Sequence, residues 1–255
     1  MDMRFDGDVV LVTGASTGIG AAAAREFGRA GATVVVHYNA NAEKAAQVVR
    51  DIEEEGGQAT AVKQDLSTPT GALALAEAVV REHGRIDVLV NNAGGLIERR
   101  PLGERDPGFV QQLLDLNVGQ LIALCEAIAP SMAERGRGAI VNVGSVAAVT
   151  GGAGGSAVYA TTKGAVTTYT RGIARELAPS GVRANVLAPG VIETPFHERW
   201  TTPEQMEGMV AGIPMGRTGA AQECTGAILF LAHDGAAGYI TGQVLPVNGG
   251  QHFLG

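Results

Sequence analysis

In the stretch "VYATTKGAV", residues 158–166, Tyr159 and Lys163 stand four residues apart, and Lys163 is one of only three lysines in 255 residues. On a helix that spacing places both side chains on one face, one turn apart. An ammonium beside a phenol favours the phenolate, so the pair predicts a tyrosine with a lowered pKa. Such a tyrosine trades a proton with a substrate oxygen near neutral pH. A solvated surface pair of the same types would do no chemistry. The elements that position the pair therefore decide its meaning.

Those elements alternate. Apolar, β-branched runs stand at 8–13, 33–38, 59–64, 86–91, 139–144, 183–188 and 243–248. Between them lie helical stretches such as "AEKAAQVVRDIEEEG", where Ala45, Val48, Val49 and Ile52 share one face. Gly31, Gly56 and Gly84 stand where such helices end. Apolar strands joined by helical crossovers predict a parallel sheet covered on both faces, an α/β, doubly wound arrangement of about seven strands. The expectation is a single domain over 1–255, without linker or repeat. Prolines and glycines interrupt 190–219, which reads either as an irregular loop or as a lid.

Ligands of a doubly wound sheet bind at the carboxyl ends of its strands. The first strand runs into "TGASTGIG" at 13–20 and then a helix. Gly14, Gly18 and Gly20 allow a tight turn, close approach of a phosphate, and packing of helix on strand. The helix start offers free amides and a positive dipole end. The G-x-x-x-G-x-G spacing differs from the G-x-G-x-x-G dinucleotide fingerprint, and its place between strand and helix carries the signal.

Composition excludes several classes. Hydrophobic residues make up 45%, charged residues 18%, and glycine is abundant at 37, as in a globular core. Aromatics at 4% and a net charge of −7 argue against nucleic-acid binding. No apolar run reaches membrane-spanning length, and the N-terminus enters a strand-like run without a signal peptide. Cys125 and Cys224 lack metal-ligand spacing and read as small packing residues, and the five histidines form no ligand cluster. Together these features predict a reducing, cytoplasmic setting and no metal.

"TGASTGIG", "NNAG" at 91–94, Asn117 in "LDLNVG", Ser145 in "VNVGS", Tyr159 with Lys163, "PG" at 189–190 with Thr194, and "YITGQVLPVNGG" at 239–250 occur in this order. With these motifs the whole chain resembles the short-chain dehydrogenases/reductases. Its closest likeness is to the 3-oxoacyl-carrier-protein reductases and the sugar and polyol dehydrogenases. The resemblance implies a Rossmann-type fold and hydride transfer between a nicotinamide cofactor and a carbonyl or secondary alcohol. It makes Tyr159 the general acid or base and Lys163 its pKa-lowering partner, bonded to the nicotinamide ribose. Ser145 would stabilise charge on the substrate oxygen, and Asn117 would hold a water in a proton relay. Read without the family, Ser145 is equally a strand-end cap and Asn117 a helix hydrogen-bond defect.

The same resemblance assigns cofactor binding to Gly14, Ser16, Thr17, Gly18, Ile19 and Gly20 of the turn. It adds Tyr38, Asn39, Asp65, Leu66, Asn91, Ala93, Gly94, Tyr159, Lys163, Pro189, Gly190, Ile192 and Thr194. Asp65 would meet the adenine amino group, or else cap the following helix. The stretch 189–194 would lie under the carboxamide, which tips 190–219 toward a substrate lid. An acid at the end of strand two would select NAD. Tyr38 stands there, so NADP(H) is favoured, with NAD(H) also open because Thr17 and residues 39–40 supply no cation and Lys44 faces solvent.

For the substrate the expectation is a 3-oxoacyl thioester, with a sugar or polyol as the alternative. Leu96, Ile97, the "GGAGG" loop at 151–155, Phe196, His197, Trp200 and Met206 are candidate pocket residues. An acyl carrier would need a basic patch, for which Arg135, Arg137, Arg171 and Arg175 are candidates; polyols would need polar groups such as Glu98, Arg99, Glu193 or His197. The resemblance also implies a homotetramer, with helices near 107–135 and 158–180 across one interface and the C-terminal strand and tail across another. A reading of another class is a redox-silent NADP-binding sensor or scaffold, which a lost member of the Asn117, Ser145, Tyr159, Lys163 set would favour. All four are present.

Overall fold

The structure, a computed structural model, describes residues 2–253; the side chains of His197 and Glu198 lie outside the described residues. In chain order the elements begin β1 (Val9–Val12), α1 (Gly18–Arg29), β2 (Thr33–Tyr38), α2 (Ala42–Glu54), β3 (Gln58–Lys63), α3 (Pro69–His83), β4 (Val88–Asn91), α4 (Pro107–Leu114) and α5 (Gln120–Glu134). They continue β5 (Gly138–Val143), α6 (Ala147–Thr150), α7 (Ala157–Leu177), β6 (Val182–Pro189), β7 (Ile192–Glu193), α8 (Pro195–Trp200), α9 (Pro203–Ala211), β8 (Gly219–Ala220), α10 (Thr225–Ala232), α11 (Asp234–Ala237) and β9 (Val244–Val247). A seven-stranded sheet runs β3-β2-β1-β4-β5-β6-β9, every neighbour parallel. The fold is α/β and Rossmann-like, as the alternation predicts.

Burial on both faces explains the near-continuous apolar strands. One core joins α1, α2 and α10 to the sheet through Phe27, Ile52, Val36 and Ile228; the other joins α3, α5 and α7 through Leu75, Leu124, Ile128 and Val166. Local chemistry sets the helix ends. Asp106 caps α4 by accepting the Phe109 amide at 2.9 Å, with Pro107 in the first turn. Pro107–Glu134 passes the length and hydropathy test for a membrane span, yet Leu113, Leu121, Leu124, Ile128 and Met132 of it are core residues.

β1 and β4 are shorter than their apolar runs, and polar side chains beside them take over the hydrogen bonding. Asp87 stands before β4, and its carboxylate accepts the Val9 amide at 2.9 Å. Thr13 follows β1, and its hydroxyl accepts the Asn92 and Ala93 amides, each at 2.9 Å. The strand order reverses between β1 and β4, and Thr13 binds the turns that follow both. That junction is where a doubly wound sheet opens a crevice.

The segment after β6 is ordered rather than irregular. β7 and β8 pair in parallel, so the excursion carrying α8 and α9 leaves and returns at one point. A capping box of Thr202 and Gln205 starts α9.

Arg135 and Arg137 do not form a free basic patch. Arg137 pairs with Asp8 and Asp234, and Arg135 donates to the Ile86 carbonyl at 2.7 Å and lies near Asp87. Asp8, Ile86 and Asp87 sit just before strands begin, opposite the ligand end, and Asp234 opens α11. Arg171 and Arg175 are exposed on α7, twelve and sixteen residues past Tyr159, or roughly 18–24 Å along the helix at ~1.5 Å per residue.

Candidate active site

A cavity of about 690 Å³ opens along the carboxyl ends of the strands. At one end lie Tyr38, Asn39, Asp65 and Leu66; Gly14, Ser16, Thr17, Gly18 and Ile19 form its middle; Ala93, Gly94, Ser145, Tyr159, Lys163, Pro189, Gly190, Ile192 and Thr194 complete it. These were all singled out from the sequence. Gly20, Asn91 and Asn117 do not line the cavity, and each has a supporting place instead.

Gly20 belongs to the packing beneath the turn. A Cβ there would stand 2.5 Å from both the Gly14 carbonyl oxygen and the Asn92 amide nitrogen. Asn91 is buried in the sheet, donating to Asn142 Oδ1 at 2.9 Å, and Asn142 donates on to Thr170 Oγ1 at 2.8 Å. Asn117 sits in a π-helical turn, Asp115–Gly119. Such turns interrupt helices most often at functional sites. Its amide donates to the Gly95 carbonyl at 2.9 Å and the Leu113 carbonyl at 3.0 Å, while its Oδ1 accepts the Gly95 amide at 3.0 Å. The side chain therefore clamps the backbone that follows "NNAG" to the helix.

The start of α1 suits an anion. Thr17 precedes it without a side-chain cap, and its first turn holds no acid. Among the described residues, the amides of Gly18, Ile19 and Gly20 have no hydrogen-bond partner within the chain. Free amides on the positive end of a helix dipole bind phosphate groups. The turn and cavity thus fit the pyrophosphate and length of a dinucleotide. At the far end Asp65 accepts the Ser67 amide at 2.9 Å and the Asn39 side chain at 3.3 Å. Lys44 is exposed on α2, outside this cavity.

His37 stands beside Tyr38 at the end of strand two, and the sequence assigned it no role in the site. Its Nδ1 accepts the Gly14 amide at 3.0 Å, and its Nε2 lies 3.0 Å from the Gln64 carbonyl oxygen. Those two bonds require a neutral ring with its proton on Nε2. Burial pushes its pKa below the ordinary value, partly opposed by the Gln64 bond. A depressed folded pKa means the unfolded chain binds the extra proton first, so stability rises with pH. The contribution is complete above the unfolded value of about 6.5 and is lost as pH falls through the folded pKa. Melting temperature and cofactor affinity are expected to drop together as pH falls below about 6.5, and His37→Asn should flatten that part of both profiles. Equal profiles for the two proteins would remove His37 from the account.

At the catalytic end, Ser145 follows β5 and its hydroxyl accepts the Ala147 amide at 3.1 Å. The Ser145 hydroxyl stands near enough to the Tyr159 phenol to favour its phenolate. Lys163 donates to the Val143 carbonyl at 2.8 Å and stands 5.7 Å from the centre of the Tyr159 ring. The expected lowering of the tyrosine pKa is not found. Burial pushes Tyr159 up to about 12, against the pull of Ser145, and pushes Lys163 down to about 8. Desolvation disfavours both charged forms, and the ammonium points to a strand carbonyl rather than to the phenol. A phenol held protonated is a proton donor at neutral pH.

The remaining wall includes Leu96, Arg99, Gly152, Ala153, Ser156, Phe196, Met209 and Gln251, with the Phe196 ring 5.9 Å from that of Tyr159. Ile97 and Met206 are not on it, and Trp200 contributes only a carbonyl that accepts from Arg99. Met209 and Gln251 carry no sequence signal; the return of the excursion and of the C-terminal tail brings them here. His197 as a pocket residue lies outside the described side chains.

Comparison with known proteins agrees with this geometry. The family model described as enoyl-(acyl carrier protein) reductase matches residues 14–252. The 3-oxoacyl-[acyl-carrier-protein] reductase FabG of Escherichia coli K12 is 36% identical over 252 residues, covering 99% of this chain and 100% of the relative. A gluconate 5-dehydrogenase from Burkholderia cenocepacia J2315, solved with NADP and tartrate, superposes with a TM-score of 0.90 at 35% identity, over 98% of this chain and 97% of that one. A 7α-hydroxysteroid dehydrogenase solved with NADH and 7-oxo glycochenodeoxycholic acid gives 0.91 at 35% identity, over 98% and 96%. The chain belongs to the short-chain dehydrogenase/reductase family and is an NAD(P)-dependent oxidoreductase acting on CH–OH and C=O groups.

Proposed function

We propose that this chain is an NADP(H)-preferring ketone reductase working from a single dinucleotide-binding and catalytic domain, with 190–219 as its substrate lid. The observation that carries this reading is the Ser145–Tyr159 hydroxyl pair on the wall of the cavity that holds the glycine turn. When bound, the nicotinamide supplies the hydride. Tyr159 gives its proton to the carbonyl oxygen, and Ser145 donates a hydrogen bond to the charge developing there. Lys163, held by Val143, places a cation beside the phenolate left behind; Asn117 fixes the backbone against which the ammonium packs. In the oxidative direction the phenolate takes the alcohol proton, so rising pH favours oxidation.

NADP(H) is preferred in this reading because Tyr38, Asn39, Ala40 and Asn41 present no carboxylate at the end of β2. Asp65 reaches the same region from β3 but is engaged by Asn39 and Ser67. The expected result is a higher kcat/KM for NADPH than for NADH with one ketone, read from loss of reduced-nicotinamide absorbance. Equal or reversed values would withdraw the NADP assignment.

For the substrate, identity to the Escherichia coli reductase supports a 3-oxoacyl thioester. The paired state of Arg135 and Arg137 supports delivery as a free molecule rather than on an acidic carrier. Arg99 and Gln251 in the wall favour a second reading, a sugar acid or polyol. We place the enzyme in a reducing cytoplasm, consistent with its two free, buried cysteines. A homotetramer through 107–135, 158–180 and the C-terminal tail is part of the proposal; Tyr239 and Phe253 stand fully exposed on the single chain, ready to be covered.

A further inference from the structure

Among the described residues three charged side chains line the cavity: Asp65 at one end, Lys163 beside Tyr159 and Arg99 on the remaining wall. Lys163 belongs to the proposed proton chemistry and Asp65 is engaged by Asn39 and Ser67. Arg99 has no such role. Its Nε donates to the Trp200 carbonyl at 2.8 Å and its Nη1 to the Gly154 carbonyl at 3.2 Å. Both partners are neutral, and no carboxylate pairs with it among the described residues.

The neighbouring arginine shows the contrast. Arg100 is paired with Glu98 at 2.9 Å and with Asp106 at 2.6 Å. The local acids are thereby consumed one residue away. Among the described residues Arg99 is left as a half-buried cation without a counter-ion, and burial weakens its hold on its proton. An unpaired, partly desolvated charge in a ligand cavity is costly unless a ligand of opposite sign completes it. A guanidinium has five N–H donors in a planar fork, and two are committed here. The rest suit the paired oxygens of a carboxylate or phosphate.

The carbonyls already held add a second element. Trp200 ends α8, and Gly154 lies in the loop that leads into α7 and Tyr159. The Arg100 amide also donates to the Gly155 carbonyl at 3.1 Å, stitching the same loop to the same stretch. Arg99 thus joins the excursion, the loop before the catalytic helix and the cavity at one guanidinium. An anion bound there would meet a group that both walls already fix.

We propose that Arg99 is a specificity-determining residue and that the substrate is a ketone, or its secondary alcohol, bearing an oxyanion group seated on this guanidinium. The proposal rests on the ketone-reductase reading and names its substrate class. Carboxylate and phosphate share the required chemistry, so the test separates them.

The experiment compares matched pairs that differ in charge: gluconate with sorbitol in the oxidative direction, and acetoacetate with methyl acetoacetate in the reductive one. Acetoacetyl-coenzyme A supplies the phosphate arm. The expected result is a kcat/KM at least tenfold higher for the charged member of one pair or for the phosphate arm. In Arg99→Gln that ratio should fall by about 10–100-fold, the usual worth of a charge-assisted hydrogen-bonded pair. Arg99→Lys should retain part of it. Preference confined to the coenzyme A ester, and lost in Arg99→Gln, would assign the site to phosphate. A calorimetric titration of gluconate into the NADPH complex, which has no hydride acceptor, gives a readout independent of turnover, with affinity expected to fall in Arg99→Gln.

Equal use of charged and neutral substrates, or a ratio unchanged by Arg99→Gln, overturns the Arg99 proposal while the reductase reading stands. Absence of turnover with every compound, together with no gluconate binding, overturns both.

Discussion

Tyr159→Phe is expected to lower kcat by about 10²–10⁴-fold, the usual contribution of a positioned proton donor, while the enzyme still binds its cofactor. The substitution deletes one hydroxyl and keeps the ring. The ring packs beside Phe196 and under the ammonium of Lys163, so both contacts survive. What is lost is the phenol proton beside Ser145 on that wall. Ser145 then remains as a neutral donor, able to stabilise an oxyanion but unable to leave it protonated at comparable cost. Because burial holds the phenol protonated to about 12, reduction by the wild type should persist through neutral pH. Oxidation should strengthen as pH rises. Steady-state rates in both directions, with cofactor affinity from nicotinamide fluorescence, check the claim. A variant retaining more than a tenth of wild-type kcat would show that the proton comes from elsewhere.

A second large effect is expected from one added methyl group. Gly20→Ala places a Cβ 2.5 Å from the Gly14 carbonyl oxygen and the Asn92 side-chain nitrogen. Neither neighbour is free to withdraw. Gly14 O is backbone in the turn, and Asn92 is held by the Thr13 carbonyl at 2.9 Å and by Gly14 O at 3.2 Å. In an ordinary helix the exchange would stabilise by about 0.5–1 kcal/mol. Here overpacking of about 1–3 kcal/mol opposes it, and the displaced atoms are those that shape the phosphate turn. The expected outcome is a melting temperature lower by several degrees, at roughly 2–4 °C per kcal/mol, with cofactor affinity reduced at least tenfold. Gly226→Ala is the control: it lies in α10 with nothing within 4 Å of its added Cβ, and its melting temperature should hold or rise. If Gly20→Ala behaved like the control, the tight packing beneath the turn would be refuted.

Much of this molecule was legible before folding. Valine-rich runs buried on both faces cannot be solvated, so seven parallel strands between helices follow from hydrophobic pattern alone. The glycine turn was legible because a phosphate-binding backbone demands residues without side chains at set intervals. Tyr159 and Lys163 were legible because one helical turn separates them, and local spacing survives into the fold.

Other features depended on contacts between distant segments. His37 gave no signal, since a histidine in a buried strand becomes informative only when Gly14 and Gln64 arrive at its two nitrogens. Asn117 stood out in sequence, but its clamp on Gly95 requires the π-turn and the strand-four loop to meet across twenty-two residues. The candidate carrier patch failed for the same reason: charge on a helix says nothing of which acid lies opposite, and Arg137 finds Asp8 from 129 positions away. The sequence by itself determined the sheet and the turn, because these follow from periodicity and local spacing, and its motifs pointed to Tyr159 as the proposed proton donor. Only the tertiary structure decided the protonation of Tyr159, the lock on the phosphate turn and the unpaired charge of Arg99, because desolvation and ion pairing belong to surroundings assembled from remote parts of the chain.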